Sequence, residues 1–224
     1  KKNNMNIFYN ILTHNIYKII ELILLSSIIP YIVLVLKLFN LIIPVLLLVC
    51  VYCIIIYCIE NKNFSSEFKK IFNININILI RIIIRWIFAS LILLIITFYF
   101  FNEKFFIIQN NKPEILWKIM ILYPIFSALP QEFIFCKFFF YRYKSIFKSD
   151  NNLVISSALF FAITHILFLN FIAPILSFIG GLLFANTYNK HRSLLLVSIE
   201  HGLYGNTLFF IGLGWYFWGG SINY

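Results

Sequence analysis

An all-α, polytopic helical membrane protein with about eight transmembrane helices is the fold class this sequence predicts, on three observations. First, 62% of its 224 residues are hydrophobic and only 12% are charged, against roughly 25% charged in an average soluble domain. Too few polar residues remain to cover a globule in water. Second, the apolar residues come in long blocks parted by short polar connections. Third, the 18 Lys and Arg, set against 8 Asp and Glu, are scattered through those connections. A nucleic-acid binder would crowd its cations onto one accessible face. Here the +10 net charge reads as the flanks of membrane spans, so the partner is a lipid bilayer and no nucleic acid.

The opening residues carry no small-residue cleavage site behind a compact apolar core, so no signal peptide is expected. A first span runs from Ile19 or Leu22 to Leu36, turns tightly through KLFNLIIP, and returns as a second from Leu41 to Ile59. Cys50 and Cys53 form a C-x-x-C pair inside that second run. With no polar ligand beside them they read as buried thiols, not as a zinc or redox site. The polar stretch ENKNFSSEFKK follows, and the alternation NININ after it reads as the start of an interfacial helix more than as a strand.

Arg81 and Arg85, four residues apart on one helix face, flank a third span reaching Phe100. Pro113 suits the start of a fourth helix, which continues through Pro130 towards Tyr141, kinked or broken in two at Pro130 where the backbone N–H is missing. Spans five and six cover Leu153 to Leu169 and Phe171 to Thr187. Two shorter ones, Ser193 to Tyr204 and Thr207 to Phe217, complete the set. Lys and Arg concentrate in alternate connections, which sets both ends of the chain on the cytoplasmic side. No internal repeat or second domain is visible, so residues 1–224 form one integral membrane domain.

Few ionisable groups lie inside the apolar runs: Glu132, His165, and the pair Glu200–His201. Such groups are costly in a bilayer and are functional candidates by default. Counted along each helix from the same inner side at about 1.5 Å per residue, Glu132, His165 and His201 fall near one depth. One carboxylate and two imidazoles can bind a divalent metal and activate water. A glutamate can equally act as a general base with a histidine assisting, or the set can move protons in a transporter. These residues alone leave the three open.

PQEFIF at 130–135, F-x-x-x-H from Phe161 to His165, and EHGLYGN at 200–206 together resemble the CPBP family, the CAAX-protease and bacteriocin-processing (Abi) intramembrane proteases. The resemblance spans about residues 117–217 and sits with a branch that reads P-Q-E and E-H-x-L-Y-G. It implies an eight-helix bacterial inner-membrane enzyme of the CAAX-protease type. Such an enzyme hydrolyses a peptide bond of a membrane-associated or lipidated protein or peptide in a cavity open to the cytosolic leaflet. On this resemblance Glu132 activates water with His165 as its partner, while His201 orients water or stabilises the oxyanion with Asn206 in support. Gln131 and Glu200 stand behind them. If a metal is bound, Glu132, His165 and His201 hold it and zinc is the expected ion; a metal-free, glutamate-dependent reaction stays open beside this.

Two positions depart from the family pattern. Cys136 stands where members carry an arginine, and a thiol cannot supply that charge. The family's asparagine, four residues after the histidine, is here Gly205, with Asn206 one step beyond. Asn206 reaches the site only if the helix deforms or ends there, whereas Gly205 in an intact helix serves close packing. These departures carry the alternative reading, a non-catalytic membrane interaction or bacteriocin-immunity protein on the same scaffold.

Overall fold

The computed structural model describes residues 12–61 and 74–218. Most of the polar connection read between the second and third spans, and Lys1 and Lys2, lie outside the described residues. Within them the chain is helical with no strand. Seven helices are long and apolar enough to cross a bilayer: α1 Asn15–Val35, α2 Phe39–Glu60, α3 Ile76–Phe100, α4 Pro113–Arg142, α5 Asp150–Phe168, α6 Ile172–His191 and α7 Leu194–Ile211. The protein is an all-α integral membrane protein. Apolar side chains such as Phe88, Leu91 and Ile95 on α3 and Leu48 on α2 are exposed, which in a bilayer gives them lipid contacts.

Local chemistry sets the helix ends. Asn75 caps α3 by accepting from the N–H groups of Asn77 and Ile78, so the latter half of NININ is the cap and first turn of that span. Ser149 caps α5, and Ser193 caps α7, by accepting from Asn152 and Leu196 respectively. Pro113 opens α4. Widened (π) turns at Pro124–Ala128 and Phe133–Phe138 then bracket Glu132. The first closes with the Leu129 N–H bonded back to the Pro124 carbonyl, five residues earlier, directly ahead of Pro130, which has no N–H to give.

The two short final spans expected from the sequence are one helix. α7 runs unbroken through Gly205 and Asn206 to Ile211 and stops at Gly212, whose φ of +109° ends it in the left-handed region. Leu213–Phe217 adds a short 3₁₀ turn rather than a crossing. Gly202 and Gly205 serve close approach: a Cβ at Gly202 would stand 3.1 Å from Pro124 Cβ, and one at Gly205 would run into the Tyr123 ring. α7 therefore lies tight against α4. α5 and α6 pair in the same way, since a Cβ at Gly181 would come within 2.9 Å of Ala158 Cα.

Buried charge ties the amino-terminal helices to α4. Arg142, fully buried at the end of α4, donates from Nε to Glu21 Oε2 (2.7 Å) and from Nη2 to Glu21 Oε1 (3.3 Å), and its Nη1 bonds Glu60. Tyr52 and Tyr143 add hydroxyl donors to Glu21 at 2.6 and 3.2 Å. Arg142, at the end of α4 where the chain turns basic, is the cross-brace of α1, α2 and α4.

Candidate active site

Residues of α2 through α7 line a cavity of about 1200 Å³ with mostly apolar walls. Its polar lining includes Tyr123, Ser127 and Gln131 from α4, His165 from α5, and His201 and Tyr204 from α7, besides Asn40, Asn111, Lys112, Lys118 and Ser177. The wide turns of α4 turn Glu132 towards α7, where its Oε1 lies 2.7 Å from His201 Nδ1. Both side chains are buried. His201 is packed on three sides, stacked on Phe184 at 4.6 Å between ring centres and met edge-on by Phe161 and Tyr123. The Tyr123 hydroxyl stands 2.9 Å from His201 Nε2.

A carboxylate oxygen accepts hydrogen bonds, so the His201 tautomer that bonds Glu132 carries its proton on Nδ1, and in that tautomer Nε2 accepts from the Tyr123 O–H. His165 occupies the final turn of α5, where Nδ1 lies 2.8 Å from the Phe161 carbonyl. That carbonyl also accepts from Thr164. A carbonyl cannot donate, so His165 carries its proton on Nδ1 and keeps a lone pair on Nε2. Phe161 packs edge-on against both imidazoles.

The partner of Glu132 is thus His201, where the sequence reading paired it with His165. Glu132 Oε2 is buried and has no hydrogen-bond partner among the described residues. Gln131 lines the cavity and donates to Ser127 Oγ at 2.8 Å. Glu200 turns away from the cavity to bond Arg85 of α3, which also donates to Thr187 of α6 at 3.0 Å. Arg85 was read as a flank; it joins α3, α6 and α7 behind the site. Asn206 points at α4, donating to the Met120 carbonyl at 2.9 Å, and does not line the cavity. Cys136, one turn past Glu132, is buried close to that carboxylate. Tyr123 was not singled out from the sequence, and the only signal for it is Gly205, whose missing side chain leaves room for a ring.

The expected metal set was Glu132, His165 and His201. Among the described residues no three His, Cys, Asp or Glu side chains lie together as a metal would require. Both ring nitrogens of His201 and the Nδ1 of His165 are already engaged. This donor arrangement does not fit a three-ligand metal site.

Residues 113–207 match the family of the Type II CAAX prenyl endopeptidase Rce1-like proteins. The matched segment begins with α4 and ends within α7, so it contains Glu132, His165 and His201 while α1–α3 fall outside it. The match supports the CAAX-protease and bacteriocin-processing family as the one to which the three motifs point. No curated protein and no solved structure matches the chain.

Proposed function

We propose that this chain is an intramembrane endopeptidase that hydrolyses a peptide bond of a membrane-associated or lipidated protein or peptide, in a bacterial inner membrane. The observation that carries the reading is the hydrogen bond that joins buried Glu132 to His201, with His201 and His165 both lining a wide apolar cavity and Glu132 one contact behind its wall, within the segment that matches the family. Peptide hydrolysis needs an acceptor for a water proton and a donor to the leaving amine. Glu132 Oε2 has no hydrogen-bond partner by geometry among the described residues, the Cys136 thiol lies beside the carboxylate, and Oε1 is held by His201. Glu132 therefore takes the proton from water and returns it to the amine nitrogen. The open lone pair of His165 Nε2 accepts the second hydrogen of that water and orients its oxygen at the carbonyl. The apolar walls suit the hydrocarbon part of a lipidated substrate and leave the reacting amide the polar side chains of the lining to bind.

The test is cleavage by the purified full chain in lipid vesicles. The substrates are a peptide with a prenylated cysteine near its carboxyl end, the same peptide without the lipid, and a bacteriocin-type leader peptide. General acid–base groups contribute about 10²–10⁴-fold, so Glu132→Gln, His165→Ala and His201→Ala should each lose at least about a hundredfold in kcat while inserting normally. Cleavage by Glu132→Gln at the wild-type rate would sink the assignment. A second reading, a non-catalytic interaction or immunity protein, is favoured by Cys136 in the family's arginine position. It expects no cleavage of any of these peptides by the wild-type chain.

A further inference from the structure

We infer that Tyr123 is a positioning residue of this site, filling from α4 the place that Gly205 leaves empty on α7; the inference rests on the endopeptidase reading. Four residues after His201 the helix returns to the same face about one turn on. Gly205 has no side chain to offer. The space beside it is occupied by the Tyr123 ring, which any Cβ at Gly205 would strike. The hydroxyl on that ring stands 2.9 Å from His201 Nε2. Asn206, the neighbouring amide, is spent on the Met120 carbonyl.

The result is a chain of three groups. Tyr123 O–H donates to His201 Nε2, and His201 Nδ1–H donates to Glu132 Oε1 at 2.7 Å. A donor at Nε2 selects the tautomer with its proton on Nδ1, the one that holds Glu132. Without it the ring can place its proton on Nε2, and the bond to Glu132 is lost. Tyr123 thus sets the tautomer and orientation of His201 and, through it, which oxygen of Glu132 is free to meet water. Tyr123 and Gly205 form one compensated pair: the large ring is possible because the facing residue is glycine.

The test needs a readout besides cleavage. The full chain, labelled with ¹⁵N in its four histidines, is placed in detergent micelles, and a His201→Gln variant identifies the His201 signals. Tyr123→Phe keeps the ring against Gly205 and removes only the hydroxyl. The His201 Nε2 signal should move and the tautomer balance shift in this variant, with the His165 signals unchanged. In the cleavage assay kcat should fall about tenfold, the scale of one hydrogen bond, with KM held within about twofold. Gly205→Asn alone should lower activity by forcing the ring aside. Tyr123→Ala with Gly205→Asn should exceed either single variant. Identical His201 spectra in wild type and Tyr123→Phe overturn the inference, as does a double variant less active than both singles. If the wild type cleaves nothing while the Tyr123-dependent signal is present, the endopeptidase reading fails and the positioning contact stands.

Discussion

Replacing Arg142 with methionine should be among the most damaging single changes outside the cavity. Arg142 is fully buried and bonds two carboxylates, Glu21 through two nitrogens and Glu60 through a third. Methionine keeps much of the volume and removes the charge. Glu21 would retain only the hydroxyls of Tyr52 and Tyr143. Glu60, with a side chain 6% exposed, would lose its guanidinium. A buried ion pair adds little relative to apolar packing, yet removing one partner costs about 3–5 kcal/mol because the other charge stays behind. In a chain of this size that is a fall in Tm of on the order of 10 °C. The native thiols give the assay. Cys50, Cys53 and Cys136 are buried and free, and Cys58 is exposed, so a thiol-reactive dye should label one site in the folded protein and the rest on heating. Adding Glu21→Gln to Arg142→Met should recover part of the loss, since it deletes the stranded charge. A variant that melts within about 2 °C of wild type, or a double variant that melts lower than the single, would refute the cross-brace argument.

Two further outcomes follow from geometry. Gly212→Ala combines a φ of +109° with a Cβ directed into the Lys104 carbonyl; it should cost more than about 1 kcal/mol and lower the Tm in the same thiol assay, while Gly180→Ala, which meets only the far end of the Phe184 ring at 3.2 Å, should melt closer to wild type. A chelator should leave peptide cleavage within about twofold of the untreated rate, because the donor arrangement at the site lacks three convergent ligands; loss of cleavage on chelation, restored by added zinc, would refute that expectation.

The helical class, the order of the helices and the three ionisable motifs were legible because each rests on composition or on hydropathy along the chain. The brace of Glu21, Glu60 and Arg142 was not, because the flank rule assigns a charge at a helix end to water. The same rule took Arg85 for a flank, although it reaches inward to Glu200. Gly205 was legible as a packing residue but not as the partner of a particular ring. The end of α7 was misplaced for a related reason. Two glycines compete to terminate that run, and only the contacts decide that Gly205 packs on α4 while Gly212 takes the positive φ.

Helix arithmetic also explains why Tyr123 escaped notice. At about 100° per residue, Tyr123 and Glu132, nine positions apart on α4, should face almost opposite ways. Yet both bond His201. The wide turn at Pro124–Ala128 lies between them and absorbs one residue. That reduces the effective separation to about eight steps, which brings the two side chains to within roughly 80° of one another. α4 can then present a hydroxyl to one nitrogen of the imidazole and a carboxylate to the other. Pro130 supplies the reason for the wide turn, since a regular helix there would leave a carbonyl without its N–H donor. The proline next to Glu132 therefore does more than kink a span. It changes the register of α4 so that residues from two faces of an ideal helix converge on one histidine.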